Sequence, residues 1–280
     1  MVNFQGKLAA LDTNIRATFK TTRDAVEDEL RNSVYDITKV NGAVANILIL
    51  DSAPGMREFK SERQPGAVEG TSQFIAPRKW EATLAVTREQ IEDDDLGRVP
   101  AAVRKMAING KKHYAALIAQ ALMKGFTTAL DDGTAFFAAA RGNLQTGVLN
   151  ATNFEAARLK LALNGYKATA LVVGPQNQSA AEQIINSVTI NGSTNVLYKS
   201  VEVKVDTNIT DTSWYVVASG EGILPLTIAE RIAADRMVPR NEDNSDNAFN
   251  RDIYEWGLRG RYDAAYVDPK LIVGSTGLAG

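Results

Sequence analysis

From Arg98 to Gly125 the sequence reads as one long helix, a rod of roughly 40 Å at ~1.5 Å per residue. Pro100 sits near its start, where a missing N–H costs nothing. Glu92-Asp93-Asp94-Asp95 lies just upstream, the sign of charge favoured near a helix N-terminus. Lys124 and Gly125 close it, a basic last turn and a residue suited to a left-handed cap. Val99, Val103, Met106, Gly110, Tyr114, Leu117 and Ala121 recur at three- and four-residue spacing, and Ala102, Ala107, Ile118 and Leu122 widen the stripe. Arg98, Arg104, Lys105, Lys111 and Lys112 lie mostly off it. A helix this long exceeds the ordinary globular one, yet taken alone it suits the core of an α/β enzyme equally well.

The rest of the chain supplies a body for such a helix. Its 280 residues suffice for one large domain or two modest ones. The apolar fraction of 45% is that of a globular protein. A net charge of −2 argues against a nucleic-acid binder overall. With no cysteine there are no disulfides, thiolate metal sites or cysteine nucleophiles. The N-terminal Met1-Val2-Asn3-Phe4-Gln5-Gly6-Lys7 lacks the apolar core of a signal peptide, and no segment approaches a membrane span.

In chain order, Leu8, Leu11, Ile15 and Phe19, then Val26, Leu30 and Val34, keep helical spacing, so residues 1–40 read as an arm of short amphipathic helices. Residues 43–87 read as a strand, a long loop and a returning strand in which Trp80, Ala82, Leu84 and Val86 alternate with polar or small residues. The loop, Pro54 to Gly66, is rich in turn residues and charge. Met56, Phe59, Phe74 and Trp80 would be wet on a free hairpin, which favours a loop that reaches another subunit. Asp131-Asp132-Gly133 signals a turn, and Thr152 with Glu155 reads as the capped start of a helix. From Ala168 onward the pattern is α/β: strands at 170–173, 201–205, 214–217 and 223–226, a helix from Ser179 to Ser187, and a last strand from about Arg251 to Tyr262 with Tyr254, Trp256 and Leu258 on one face. Residues 241–247 read as a polar loop with almost nothing to bury, and Gly274-Ser275-Thr276-Gly277 as a loose tail.

A search for chemistry returns little. The single histidine, His113, sits inside the long helix, where a packed role outweighs a catalytic one. There is no second histidine, no HExxH, no Gly-x-Ser-x-Gly elbow, no GxGxxG after a strand and no phosphate-binding glycine loop. The pairs Asp131-Asp132 and Arg259/Arg261 have ordinary structural explanations as a turn and as partners of carboxylates. No catalytic, cofactor or metal residue is assigned.

A colinear series of segments changes the reading. It runs Pro54-Gly55-Met56-Arg57-Glu58-Phe59, Glu62-Arg63, Trp80 to Arg88, Ile91 to Gly97, and Asp131 to Phe137. It continues through Leu171 to Pro175, Trp214-Tyr215, Ile223 to Leu226 with Arg231, and Gly257 to Arg261. Over about residues 45 to 265 this series resembles the major head subunits of Mu-like phages, although the stretch between Phe137 and the strand at 171 is shorter than in that pattern. The resemblance implies an α+β chain with the shell fold of tailed phages, herpesvirus capsids and encapsulins. By that analogy residues 1–42 are an N-terminal arm, and 43–87 an extended hairpin loop. Residues 88–150 form a peripheral domain on a spine helix at 98–124, completed by 250–280. Residues 151–249 form an axial domain with a central sheet.

What the resemblance implies for function is assembly rather than catalysis. Pentamers and hexamers of the chain would tile an icosahedral or prolate head around double-stranded DNA, with no sequence-specific contacts and no membrane. The protein would reside in the virion after assembly in the bacterial host cytoplasm. Scaffolding would be a separate protein, beside a portal and decoration proteins. Met56, Arg57, Glu58, Phe59, Glu62, Arg63, Phe74 and Trp80 are the expected inter-subunit contacts. The competing expectations are an encapsulin-like nanocompartment shell and a soluble α/β enzyme that uses carboxylates.

Overall fold

The computed structural model describes residues 4–52, 56–59, 62–63, 69–190, 193–219, 222–242 and 245–278. In chain order it contains α1 (Phe4–Ala25), β1 (Tyr35–Lys39), β2 (Ala45–Ser52), β3 (Glu69–Ile75), β4 (Arg78–Thr87), α2 (Arg88–Glu92) and α3 (Val99–Lys124). Then come β5 (Leu144–Gln145), α4 (Ala151–Leu163), β6 (Ala170–Val173), α5 (Gln178–Asn186), β7 (Thr189–Ile190), β8 (Ser193–Thr194), β9 (Glu202–Val205) and β10 (Trp214–Val217). The chain ends with β11 (Leu226–Ile232), β12 (Met237–Arg240), α6 (Asp246–Arg251), β13 (Ile253–Tyr266) and β14 (Ile272–Ser275). It divides into two compact units, one drawn from 1–28, 77–114 and 230–262, the other from 29–76, 115–229 and 263–280.

In the first unit β13 lies between β4 and β12, antiparallel to both, with Leu258 opposite Ala82 on one side and Met237 on the other. Tyr254, Trp256 and Leu258 are buried together, as their alternation requires. The opening stretch folds as one long helix rather than as several short ones. Leu8, Leu11, Ile15 and Phe19 of α1 are buried, and Asp12 is buried beside them. That carboxylate is tolerated because it accepts the Trp256 indole N–H at 2.9 Å and pairs with Arg16. Residues 26–34 are not helical; Leu30 and Val34 are buried in turns of the second unit instead.

Helix α2 begins with a reciprocal cap. Thr87 Oγ1 accepts from Gln90 N at 3.4 Å, and the Gln90 side chain accepts from Thr87 N at 3.1 Å. This helix claims the acidic run: Glu92 ends it, Asp93 caps it, and Asp94 takes a left-handed conformation at φ 59°. Lys7 of α1 ties that turn down, donating to the Glu92 carbonyl at 2.9 Å and pairing with Asp94 at 3.5 Å. The first turn of α3 itself carries no acid, and the run lies upstream of it as the sequence reading placed it.

Helix α3 appears where its spacing places it. Val99, Val103, Ala107 and Tyr114 are buried in the first unit, and Leu117, Ile118 and Leu122 in the second. Met106 and Gly110 are only half-buried and Ala102 is exposed, so the core-facing line is displaced from the middle of the expected stripe.

The second unit holds a five-stranded sheet in the order β5-β14-β10-β6-β9. β6 is parallel to β9 and β5 to β14, while β10 is antiparallel to β6 and β14. Phe154, Ala157 and Leu161 of α4 and Ala181, Ile184 and Ile185 of α5 pack against Leu171, Val173, Trp214, Val216 and Val273. The cap of α4 is Asn150, whose side chain accepts from Asn153 N at 2.8 Å, and not Thr152. The expected tail is a correction too: Ile272–Ser275 is fully buried and pairs along β10. The strand expected at 223–226 begins only at Leu226. Ser245, Asp246 and Asn247, expected in a polar loop, open α6, with Ser245 accepting from Ala248 N at 3.3 Å.

Candidate assembly surfaces

Strands β2 and β3 form an antiparallel hairpin of their own, with Ala45 opposite Ile75 and a bulge between Leu50 and Ser52. A two-stranded ribbon is marginal unless something covers it. Met56, Arg57, Glu58, Phe59, Glu62 and Arg63, which lie between its strands, are all exposed. Phe59 shows 67% of its surface and Phe74, on β3 opposite Asn46, shows 64%. Leu48 and Val44 add to the uncovered apolar surface. Seven of the eight expected contact residues therefore belong to one hairpin. Pro54, Gly55, Lys60-Ser61 and Gln64-Pro65-Gly66 of the expected loop lie outside the described residues.

Trp80 sits elsewhere. It is half-buried on β4, and its indole N–H donates to the Tyr262 carbonyl at 2.9 Å. Its ring meets His113 edge-on at 4.4 Å, and the Arg78 guanidinium lies 4.7 Å from its centroid. Together with Leu84, Met106, Leu258 and Tyr262 it walls an open, mostly apolar cavity of about 440 Å³ within the first unit. Gly110 lines it too and lets Leu258 approach closely, since a Cβ there would lie 3.1 Å from Leu258 Cδ2.

Behind this wall lies a polar node. His113 Nδ1 and Tyr262 Oη are 3.0 Å apart, and Tyr114 donates its hydroxyl to the buried Glu230 carboxylate at 2.5 Å. Burial first, and then the Glu230 charge, push Tyr262 up to about 12, with Arg23 pulling the other way. Burial and the Glu230 hydrogen bond hold Tyr114 above the usual phenol range. These phenols stay neutral at physiological pH, which makes the node a structural lock.

The other candidate groups are structural. Asp132 accepts from Thr134 N at 2.9 Å and pairs with Arg141, as a turn residue does. Arg261 donates to the Pro77 carbonyl at 3.1 Å. Among the described residues no three His, Cys, Asp or Glu side chains are grouped to hold a metal ion, and no helix is long and apolar enough to cross a membrane. Uncovered apolar features that escaped the sequence reading include Leu159 and Leu163 on α4, Val188 and Val196 around β7 and β8, and Phe249 on α6. The available signal was α4 itself, whose apolar residues are spread around the whole helix.

A hairpin with exposed apolar residues, a 26-residue helix and a five-stranded mixed sheet are elements that the resemblance to phage shell proteins implied. The model of the phage capsid protein family matches residues 70–274, and the chain belongs to that family. The Mu-like prophage FluMu major head subunit of Haemophilus influenzae is 20% identical over 218 residues, which are 78% of this chain and 56% of the relative. The chain thus spans a little over half the length of that relative. Among solved structures, the procapsid of bacteriophage JBD30 superposes with a TM-score of 0.62 at 18% identity, over 97% of this chain and 75% of that one. The virus-like particle from Pyrococcus furiosus gives a TM-score of 0.58 at 12% identity, over 94% and 98%. A phage-related protein from Bordetella bronchiseptica gives 0.58 at 14%, over 93% and 96%. The fold is that of phage capsid proteins, the α+β class that the resemblance implied.

Proposed function

We propose that this chain is the major structural subunit of a phage head. Rings of five or six copies close into a shell around double-stranded DNA, and the protein's place is the virion. The observation that carries this reading is the hairpin, whose Met56 and Phe59 stand in solvent although the family is one of shell proteins. In the shell each copy's hairpin lies over its neighbour. Met56 and Phe59 are the apolar anchors, and Arg57, Glu58, Glu62 and Arg63 form a charged rim that sets register more than strength. The open cavity beside Trp80 and Met106 is a seat of the right character for such anchors. Residues 1–42 act as the arm, 43–87 as the hairpin region, 88–150 with 250–280 as the peripheral domain, and 151–249 as the axial domain. The near-neutral charge suits DNA that keeps its own counterions. The chain performs no catalysis. A separate scaffolding protein, a portal and decoration proteins complete the head, which assembles in the host cytoplasm.

The likeness to the Pyrococcus furiosus particle, over 98% of that chain, favours a second reading: a nanocompartment shell with protein cargo. Electron microscopy and size-exclusion chromatography of the purified chain test the shell itself. A sample that remains a single copy at high concentration sinks both readings. Nuclease-protected DNA inside particles produced with the packaging machinery separates a head from a compartment.

A further inference from the structure

The sequence holds four Asn-Gly pairs, at 41–42, 109–110, 164–165 and 191–192. Such a pair is open to an intramolecular reaction, because glycine has no Cβ to keep its backbone nitrogen away from the preceding carboxamide. Whether the reaction runs depends on the fold. The backbone must let that nitrogen reach the asparagine Cγ, and an N–H committed to a hydrogen bond must first be released. Asn191-Gly192 lies outside the described residues.

Two of the remaining pairs are locked. Asn109-Gly110 lies inside α3, where the helical ladder engages each N–H and fixes the backbone. Asn164 caps the C-terminal end of α4 at φ −81° and ψ 0°, and the Gly165 N–H donates to the Ala162 carbonyl at 2.9 Å. The Asn164 amide nitrogen is itself buried.

Asn41-Gly42 differs on each count. It belongs to the segment between β1 and β2, outside both strands, and Asn41, Gly42, Ala43 and Val44 are all exposed. No described residue accepts from the Gly42 N–H, and none holds the Asn41 carboxamide. The bend also needs glycine: a Cβ on Gly42 would lie 2.8 Å from the Val44 carbonyl oxygen.

We propose that Asn41 is a site of spontaneous deamidation, in which the Gly42 nitrogen closes a ring on the Asn41 side chain. The Gly42 nitrogen attacks Asn41 Cγ and gives up its proton to the leaving amide nitrogen. The Cγ–Nδ2 bond breaks, ammonia departs and a cyclic imide remains. Water then opens the ring at either carbonyl, giving an aspartyl or an isoaspartyl linkage. The step needs only water. Its place gives it consequence, because Asn41 stands at the root of the hairpin, just before Ala45, which is buried and pairs with Ile75. Either product adds a negative charge there, and the isoaspartyl one lengthens the main chain by a methylene group. The inference concerns the single chain and is independent of the shell reading.

The full-length chain is incubated in warm, mildly alkaline buffer, beside the same chain unfolded in guanidinium chloride, until the unfolded sample has reacted at Asn109 and Asn164. Brief tryptic cleavage after Lys39 and Arg57 in weak acid releases the Asn41 segment for mass spectrometry, and fragmentation separates Asn41 from Asn46. In the folded chain, acid should accumulate at Asn41 at least about tenfold faster than at Asn109 or Asn164, where the glycine N–H reacts only after local opening. In the unfolded chain the three sites should converge. Both aspartyl and isoaspartyl forms should appear at Asn41, and Asn41→Gln, whose longer side chain closes such a ring poorly, should leave the segment unchanged. Folded-state rates at Asn109 or Asn164 that match the rate at Asn41 would overturn the proposal, as would an Asn41 that stays intact in the folded chain. An aspartyl product with no isoaspartyl form would exclude the ring, and would overturn it as well.

Discussion

Phe137 has almost no free space around it. It is buried in the second unit, its ring 4.6 Å from Phe126, 5.0 Å from Phe136 and 5.5 Å from Tyr215. Two glycines make the room. A Cβ on Gly125 would lie 2.9 Å from Phe137 Cδ2, and one on Gly274 would lie 2.8 Å from Cε1. Gly274→Val should therefore cost about 1–3 kcal/mol through overpacking, read as a lower urea midpoint with an unchanged slope. A neutral result would show that the ring has somewhere to go. The phenols make a second residue-level prediction. Tyr262 is held at about 12 in the folded chain against about 10 unfolded, so the folded state keeps this proton where the unfolded state loses it. That contribution is whole below about pH 10 and is lost as pH rises toward about 12. Burial acts in the same direction on Tyr114, Tyr215 and Tyr266. Stability measured by denaturant titration should hold level near neutrality and fall in that alkaline window. Tyr262→Phe should make the fall shallower, and an unaltered slope would exclude Tyr262 as a source.

At the scale of elements, α3 separates what spacing predicts from what packing decides. Val103 is fully buried, whereas Met106 is half-buried and walls the open cavity. Val103→Lys should cost more than about 3 kcal/mol, because it forces a charge into the core. Met106→Lys should cost much less, since its long stem reaches solvent through the cavity mouth. Equal losses in thermal or urea unfolding would place Met106 in the core after all. The helix was legible because a sustained apolar spacing over 26 residues has few other uses. The exposed Met56 and Phe59 stood out for the opposite reason, as large apolar residues in a charged, turn-rich stretch. The tail was not legible. Gly274, Ser275 and Thr276 are small or polar, and the strand exists only because β10 and β5 lie on either side of it. Trp80 was legible as a residue needing cover, but not as one covered by His113 and Tyr262 from distant parts of the chain. The exposure of Leu159 and Leu163 was hidden because an evenly apolar helix has no direction to read.

At the scale of the whole molecule, the proposed shell would make the exposed apolar residues act together through mass action. A subunit that meets several neighbours multiplies any change made at one contact, so shells should appear sharply above a threshold concentration and be nearly absent below it. Each 1.4 kcal/mol lost per contact corresponds to about tenfold in that contact's equilibrium constant. Met56→Asp with Phe59→Asp changes two solvent-exposed side chains. It should leave the unfolding transition of the isolated subunit within about 0.5 kcal/mol of wild type, the usual range for surface substitutions. The assembly threshold, followed by light scattering, should rise by about an order of magnitude or more, since both anchors would carry a charge into a desolvated seat. Replacing residues 56–63 with a short Gly-Ser linker should do the same without touching β2 or β3, because loop length alone has little effect on stability. If either protein closes shells at the wild-type threshold, the hairpin tip is not an anchor, and the cohesion of the shell must come from other contacts.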